Sequence, residues 1–457
     1  MPRRSVLLSA LLLLASVVHA QPAVSQTATV AAPGVDVQRI STDPYTTPNA
    51  QHRTEVEPDT FAWGDTVVSA FQVGRYFDGG ADNIGWATST DGGRTWQHGF
   101  LPGTTPVADP PGRWERVSDP VVAYDAAHGV WMIQSLGIRP GSPPNDLVVS
   151  RSTDGLNWSR PRPEAPGEPG TFYDKNWLTC DNWEQSPFFG SCYGSWDDAI
   201  AGGRFFNDVS RDGGLTWSEP RRVDDAAGIG VQPVVQPDGT IVAPYLFGSA
   251  MRAYRSTDGG QTWEGSVEIS NVRHHFPGAL RELPLPSVDV DARGRIYVVW
   301  SDCRFRRGCS ANDIVLSQSD VGRTWTTPVR IATVASTSNP DQDIPARAVD
   351  RSTGGPEARL ALSYFAFEDA NCRPGACQLD VWTTHSSSAG LGWSSPVRVN
   401  ATPMRLSWVP VTTSEFMVGD YVSTSFLADG SAVAVVPIAL PPDDEGLDVS
   451  MYAVTGI

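Results

Sequence analysis

The octet STDGGRTW at residues 89–96 returns almost unchanged as STDGGQTW at residues 256–263. Four further copies keep the serine, a glycine and the final tryptophan: SRDGGLTW at 210–217, STDGLNW at 152–158, QSDVGRTW at 318–325 and SSSAGLGW at 386–393. The tryptophans of successive copies are separated by 62, 59, 46, 62 and 68 residues. This spacing indicates a structural unit that is repeated along the chain.

Each octet is predicted to be a tight turn between two strands. Segments rich in β-forming residues flank the copies, such as MRAYR at 251–255 and TTPVRI at 326–331. The Asp-Gly-Gly centre suits a hairpin that needs positive φ. The Ser and Asp side chains can bond the turn's own amides, and the Trp can pack against the adjoining unit. Because the motif occurs six times, we expect it to be scaffolding rather than a catalytic site.

The octet resembles the Asp box, or bacterial neuraminidase repeat, of the sialidase superfamily of β-propellers. The copies span residues 89–393, and the surrounding strand pattern extends the resemblance over nearly all of the chain after residue 20. The resemblance implies an all-β fold, a single propeller of four-stranded antiparallel blades. It implies less about activity, because Asp boxes also occur in propellers that cleave other glycans or only bind them.

A second pattern recurs between the octets, namely a short strand, an Asp/Gly turn and an apolar strand. Its starts lie at Glu57, Asp119, Asp174, Gln232, Pro286, Asp343 and Asp420. Seven starts predict seven blades over residues 35–457, and six blades, the usual number in catalytic sialidase domains, is the alternative. The last unit lacks a fourth strand. We expect residues 37–41, VQRIS, to supply it and to close the ring.

The N-terminus predicts export. Arg3 and Arg4 precede an apolar run that ends at Ala20, so residues 1–20 are predicted to be a secretory signal peptide, followed by a flexible segment at 21–34. No later segment has the roughly 18 uninterrupted apolar residues that a membrane-spanning helix needs. The formal net charge of −17 argues against nucleic acid and anionic membranes as partners. We therefore expect a secreted, monomeric protein that acts on extracellular glycans.

The six cysteines are expected to form three local disulfides, because an exported chain with an even number of closely spaced cysteines favours pairing by proximity. The pairs are Cys180 with Cys192, Cys303 with Cys309, and Cys372 with Cys377. Other pairings are formally open. A metal site is the weaker alternative, since no Cys-x-x-Cys or paired-His spacing accompanies them.

Propeller topology predicts which side of the molecule could perform chemistry. If the octets join third and fourth strands, the starts of the first strands lie on the opposite face, where the sialidase family places its site. Most of these starts are acidic residues, which would surround the mouth of the central channel. Carboxylates this close repel one another, so some of them must be protonated, paired with arginine or bound to a cation such as calcium. We expect no cofactor, with calcium as the open alternative, although no contiguous loop matches a known calcium pattern. The alternative is that these acids only cap turns.

The resemblance also implies site residues, because sialidases bind the sugar carboxylate with three arginines and use a tyrosine nucleophile, a glutamate and an aspartate. It assigns catalytic roles to Glu57, Asp119, Asp174 and Tyr421, and substrate contacts to Arg75, Lys175, Trp177, Arg304, Arg347, Asp343 and Asp420. Arg53 and Arg281 are further candidates for the arginines that bind the sugar carboxylate. The family's Arg-Ile/Leu-Pro signature is absent, which argues against sialic acid, and an acidic mouth also suits neutral sugars cleaved between two carboxylates.

The leading hypothesis is thus a secreted, sialidase-like glycoside hydrolase of undetermined substrate, with exo-α-sialidase activity as one form. The first alternative is a propeller that binds glycans or other partners without catalysis. The second is a polysaccharide lyase on the same scaffold, for which His274 and His275 are the candidate bases.

Overall fold

The computed structural model describes residue 32 and residues 34–457. The predicted signal peptide, and all of the predicted segment at 21–34 except residues 32 and 34, lie outside the described residues. The described residues form β-strands with four short 3₁₀ helices, so the predicted all-β class is confirmed. None of these helices is long and apolar enough to cross a bilayer.

The strands follow one another in chain order as β1 (Asp36–Arg39), β2 (Ala50–Trp63), β3 (Thr66–Tyr76), β4 (Ala81–Ser89), β5 (Gln97–Phe100), β6 (Arg116–Asp125), β7 (Val130–Ile138), β8 (Asn145–Ser152), β9 (Arg162–Ala165), β10 (Tyr173–Cys180), β11 (Cys192–Asp198), β12 (Arg204–Ser210), β13 (Arg221–Ala227), β14 (Val234–Val235), β15 (Ile241–Phe247), β16 (Ala250–Ser256), β17 (Glu264–Asn271), β18 (Ser287–Val290), β19 (Ile296–Asp302), β20 (Asp313–Ser319), β21 (Val329–Arg330), β22 (Asp341–Val349), β23 (Leu360–Phe367), β24 (Gln378–Ser386), β25 (Val397–Arg398), β26 (Met404–Arg405), β27 (Val411–Thr412), β28 (Glu415–Phe416), β29 (Ser423–Phe426), β30 (Ala432–Asp443) and β31 (Gly446–Thr455). The 3₁₀ helices are Arg307–Cys309, Gly355–Glu357, Pro374–Ala376 and Leu406–Trp408.

Consecutive strands pair into four-stranded antiparallel sheets, as predicted. The sets β10–β13, β14–β17 and β18–β21 are separate sheets, and β22–β25 forms another to which β26 adds. The sets β2–β5 and β6–β9 are linked by one pair, Ala81 with Val117, and β2 is linked to β31 by Thr54 with Val449. The N-terminal strand β1 pairs antiparallel with β31, with Val37 opposite Val454. The predicted pairing of this N-terminal segment with the last strand is therefore present.

The first serine of every copy is the last residue of a third strand, so the octets follow third strands as predicted. In the first copy, the Ser89 hydroxyl accepts the Gly93 amide at 2.8 Å, and Asp91 Oδ1 accepts the Thr95 amide at 2.9 Å. The Trp96 indole donates to the Gly93 carbonyl at 3.1 Å. Gly92 and Gly93 have φ of 75° and 80°, which L side chains rarely adopt. The turn thus satisfies most of its own polar groups, and the Gly92 amide donates to the Asp65 carbonyl at 2.9 Å.

The hydrophobic core lies between neighbouring sheets. Trp158 of the second sheet packs on a cluster that contains Val68 and Ala70 of the first. Trp96 of the first sheet packs with Val433 and Ala453 of the last. The predicted packing of octet tryptophans on the adjoining unit is therefore present.

The octets lie at one end of each sheet, and the loops between second and third strands lie at the other. Ser89 pairs with Val67 at the start of β3, whereas Ala81 pairs with Arg75 near its end. We call these the octet end and the loop end. Each first strand begins at the loop end, as Ala50 does opposite Tyr76 in the first sheet.

Four first strands, β2, β6, β10 and β22, begin earlier than the sequence pattern indicates, whereas β14, β18 and β29 begin one to three residues later. Glu57 and Asp119, predicted as strand starts, lie inside β2 and β6, because both occupy β-bulges where the register shifts. Their φ angles are 58° and 50°, and Lys175 and Ile344 hold the corresponding bulges in β10 and β22 with φ of 43° and 50°. Bulges of this kind re-aim side chains and recur beside functional sites.

All three predicted disulfides are present. The Cα atoms are 4.0 Å apart for Cys180 and Cys192, 4.8 Å for Cys303 and Cys309, and 5.1 Å for Cys372 and Cys377. The second and third lie in loops at the loop end, between β19 and β20 and between β23 and β24.

Candidate functional site

Lys175 is the centre of a buried charge cluster at the loop end. Its ammonium lies 2.5 Å from Asp420 Oδ2, 3.1 Å from Glu57 Oε1 and 3.7 Å from Asp119 Oδ2. The Lys175 side chain is 5% exposed and that of Glu57 is 1% exposed. The bulges at Glu57, Asp119 and Lys175 turn three different first strands toward one point, so that residues far apart in sequence meet. We call these four residues the Lys175 cluster.

Two arginines complete the charge balance of this cluster. Arg281 binds Asp420 with two parallel hydrogen bonds of 2.8 and 2.6 Å, a geometry that is specific to arginine. Arg75 is buried nearby, where it donates to the Gly80 carbonyl at 2.7 Å. The acids of the Lys175 cluster are therefore neutralised largely by cationic side chains. Pairing with a cationic side chain was one of the three ways in which the sequence analysis expected these carboxylates to be accommodated.

The environment pushes the pKa values of the cluster's acids in opposite directions. Burial raises the pKa of Glu57 to about 7, with Lys175 opposing the shift. Burial would also raise the pKa of Asp420, but Lys175 and Arg281 outweigh it and hold that pKa well below its usual range. Burial raises the pKa of Asp174, which faces Asp197 across β10 and β11, to about 6. Adjacent carboxyl groups therefore differ in protonation near neutral pH.

Two aromatic rings lie against the cluster. Trp177 and Tyr421 meet edge to face with ring centroids 5.5 Å apart, and the Lys175 ammonium lies 5.6 Å from the Tyr421 ring. The Tyr421 hydroxyl donates to the Pro120 carbonyl at 3.1 Å, and burial among carboxylates raises its pKa well above the usual value. These contacts disfavour the phenolate that a tyrosine nucleophile needs.

A small cavity of about 30 Å³ opens beside the cluster. Lys175, Trp177, Asp420 and Tyr421 form one wall, and residues of the connection between β17 and β18, including Leu285, form the other. A cavity of this size holds about one water molecule. In this conformation the connection at 272–286 covers the Lys175 cluster.

The other predicted residues lie elsewhere. Arg304 binds Asp302 on its own loop through Nε at 2.9 Å, away from the cluster. Arg53 pairs with Asp443. Arg347 lies further along β22 and lines a channel of about 250 Å³, where its guanidinium has no hydrogen-bond partner among the described residues. Burial lowers the pKa of Arg347 to about 10. The structure thus does not gather Arg75, Arg304 and Arg347 into the predicted carboxylate clamp.

Asp343 lies in a second polar cluster at the loop end. His274 Nε2 is 2.6 Å from Glu282 Oε2, and one ligand atom from each of His274, Glu282 and Asp343 lies within 4.8 Å of the others. His275 Nδ1 is 2.6 Å from Asp341 Oδ2, and this hydrogen bond raises the pKa of His275. The two histidines proposed as lyase bases are therefore each bound to a buried carboxylate.

Sequence reasoning anticipated most of the Lys175 cluster but not its arrangement. Lys175 was expected to contact substrate, whereas it binds three carboxylates. Arg281 was only a further candidate, and Glu282 was not selected at all. The signal available was the run Arg281-Glu282 in the connection between β17 and β18, where charged residues must find partners or water.

No protein-family model and no curated protein matches this chain. Solved structures do match it. A sialidase from Trypanosoma rangeli is 14% identical with a TM-score of 0.48, over 93% of this chain and 60% of that chain. A protein of unknown function from Dyadobacter fermentans is 15% identical with a TM-score of 0.46, over 93% and 99%.

An α-L-arabinanase from Penicillium chrysogenum, complexed with arabinobiose, is 17% identical with a TM-score of 0.39, over 63% of this chain and 94% of that chain. The matches thus include sialidases, the class of protein that the octets resemble. At these TM-scores and identities, the likeness decides neither the reaction nor the substrate of this chain.

Proposed function

We propose that residues 35–457 form one seven-bladed propeller that is a secreted glycoside hydrolase with its active site at the loop end. The ring is supported by contacts between first strands, which run from β2 through β6, β10, β14, β18 and β22 to β29 and back to β2. The channel lined by Arg347 also contains residues from all seven of these strands. β1 then serves as the fourth strand of the last blade, so the N-terminal strand closes the ring.

The observation that carries the proposed reaction is that Glu57 and Asp119 meet at one ammonium, with the pKa of Glu57 raised by burial. Two neighbouring carboxyl groups, one of which has a raised pKa, are what general acid catalysis at a glycosidic bond requires. Structural ion-pair clusters also shift pKa values, but they do not need a bulge at each contributing residue. Here Glu57, Asp119 and Lys175 all lie at such bulges.

The roles follow from the contacts. Glu57, with its raised pKa, is the general acid. Asp119 is the nucleophile or base, because its Oδ2 has no hydrogen-bond partner among the described residues, while its Oδ1 accepts from Ser118. Asp420 stays ionised and holds Lys175 in place. Asp174 is a further carboxyl group near the cluster whose protonation changes the net charge there. Trp177 and Tyr421 contact the sugar ring.

The substrate proposed is a neutral extracellular glycan. A sugar carboxylate would call for free, convergent arginines, and here Arg281 is engaged with Asp420 while Arg304 is engaged with Asp302. Entry of a sugar requires the connection at 272–286 to move, since the present cavity of about 30 Å³ is smaller than a sugar ring. Such loop opening commonly accompanies substrate binding.

The burial of the Lys175 cluster favours a second candidate, a propeller that binds glycans without cleaving them. If the connection at 272–286 never opens, the cluster is a structural ion-pair network, and recognition would use the exposed loops. Phe276, which is 70% exposed on that connection, would then be a contact residue.

The test is a screen for released sugar over a panel of neutral and sialylated glycans, with and without a chelator. Glu57→Gln and Asp119→Asn should each reduce turnover about 10²- to 10⁴-fold, because each removes a proton-transfer or nucleophilic group. Glu55→Gln is the matched control, since Glu55 is a buried glutamate two residues away on β2 that contacts Ser41 and Met451 instead.

The glycosidase proposal is wrong if no glycan in the panel is cleaved. Saturable binding without product would select the binding candidate. If Glu55→Gln lowers turnover as much as Glu57→Gln, the loss reports a damaged fold and Glu57 has no catalytic role.

A further inference from the structure

We propose that His274, Glu282 and Asp343 bind one divalent transition-metal ion of the Zn²⁺ type, which fastens the connection at 272–286 to the first strand β22. This inference concerns the second polar cluster and does not depend on the glycosidase activity. His274 and Glu282 lie on the connection, and Asp343 lies near the start of β22. The three side chains thus join segments that are about 60 residues apart in the chain.

The cluster contains buried polar atoms that nothing else satisfies. Among the described residues, His274 Nδ1, Glu282 Oε1 and Asp343 Oδ2 have no hydrogen-bond partner. Asp343 is fully buried, and Glu282 is 6% exposed. An unsatisfied buried polar group costs about 1–3 kcal/mol, and more when it is charged, so a partner shared by these three residues, which each have one ligand atom within 4.8 Å of the others, would stabilise the fold. A bound cation supplies one.

The surrounding contacts orient the cluster as a ligand set. Asn312 donates its amide to Asp343 Oδ1 at 2.8 Å and to the His275 carbonyl at 2.6 Å. This leaves Asp343 Oδ2 as the free oxygen. Metal-binding carboxylates are usually held by such outer hydrogen bonds, which fix the ligand oxygen before the ion arrives. Asp341, which lies beside this cluster, forms a hydrogen bond with His275 instead.

The donor set indicates the class of ion. One imidazole and two carboxylates neutralise a divalent charge, and imidazole is a preferred ligand of Zn²⁺ and of the neighbouring transition metals. Ca²⁺ takes six to eight oxygen ligands, and this cluster offers an imidazole with only two carboxylates. We therefore use Zn²⁺ as the probe, with Ca²⁺ as the comparison ion.

An ion at this position would also steady the Lys175 cluster. Glu282 directly follows Arg281, whose guanidinium binds both oxygens of Asp420. Fixing Glu282 to β22 therefore fixes the residue that neutralises Asp420. The expected role of the metal is to hold this connection in the closed position that covers the candidate active site, so that opening for a sugar would require release of the ion.

The experiment uses tag-free, full-length mature protein, stripped with a chelator and dialysed against Zn²⁺. We expect about one Zn²⁺ per chain by mass spectrometry of the bound metal, and at least about 100-fold weaker binding in Asp343→Asn and in Glu282→Gln. Asp380→Asn is the matched control, because Asp380 is also buried at the loop end and accepts an Asn amide at 2.9 Å. It should bind Zn²⁺ as the unaltered protein does, and Ca²⁺ should not compete.

Wild-type protein alone provides a second test, in case a variant fails to fold. Co²⁺ should give visible absorption bands that Zn²⁺ removes, and crystals soaked in Zn²⁺ should show an anomalous peak between His274, Glu282 and Asp343. The proposal is overturned by less than about 0.2 Zn²⁺ per chain, by a peak elsewhere or none, or by equal binding in Asp343→Asn.

Discussion

The carboxylates of the octets and those of the Lys175 cluster have opposite environments. Asp91 sits at the surface and accepts hydrogen bonds from Thr95 and Arg94, within four residues of itself. Glu57 is buried and contacts Lys175 and the amide of Asp420, which are 118 and 363 residues away. The Thr95 hydroxyl and amide lower the pKa of Asp91 to about 2, whereas burial raises that of Glu57 to about 7. Repeated acids are therefore satisfied locally and support the scaffold, while the unrepeated acids depend on the assembled fold.

The largest expected effect follows from removing the shared cation. Lys175→Met leaves Glu57, Asp119 and Asp420 buried without their common ammonium. Removing one partner of a buried ion pair typically destabilises a protein by about 3–5 kcal/mol, because an uncompensated charge remains. We expect a decrease of that size in the free energy of unfolding, measured by urea denaturation.

Arg222→Met is the control for this substitution. Arg222 is a half-exposed residue that pairs with the neighbouring Asp224, so its loss should change the free energy of unfolding by less than about 0.5 kcal/mol. Equal stability of Lys175→Met and the unaltered protein would mean that the acids take up protons at little cost. The acids of the octets and those of the Lys175 cluster would then not differ in how much their partners contribute to the free energy of unfolding.

The second prediction separates the two kinds of acid by pH. Glu55 is fully buried, its Oε2 accepts the Met451 amide, and burial raises its pKa from 4.5 to about 8. A raised carboxyl pKa contributes stability that is complete below pH 4.5 and is lost as the pH rises through 8. The octet acids, with lowered pKa values, behave in the opposite way and lose their contribution only at strongly acid pH.

We therefore expect the unaltered protein to lose about 4 kcal/mol more than Glu55→Gln between pH 5 and pH 8.5. Glutamine mimics the protonated acid and cannot ionise, so its curve should be flatter over this range. Urea denaturation at several pH values measures the difference. Parallel curves for the two proteins would show that Glu55 does not titrate in the folded state.

The same contrast explains what could be predicted from the sequence. The octets could be predicted from the sequence because their serine, aspartate, glycine and tryptophan contact one another within eight residues. Their predicted positions after third strands were correct. The three disulfides could be predicted for the same reason, since each closes a short loop. The bulges at Glu57 and Asp119 were missed, because a bulge depends on the register with the neighbouring strand. Likewise, only the assembled fold brings Arg281 to Asp420.

The smallest predicted effect tests the octets against one another. In the first copy Asp91 accepts the turn amides, whereas in the eroded fifth copy Asp320 binds Arg295 instead. Asp91→Ala should lower the free energy of unfolding by about 1 kcal/mol, since it removes hydrogen bonds from two backbone amides. Asp320→Ala should lower it by less than about 0.5 kcal/mol, because only an exposed ion pair is lost. Thermal denaturation of both variants compares them directly. An equal loss in both would mean that the Asp position stabilises the fold through its charge and not through the turn it closes.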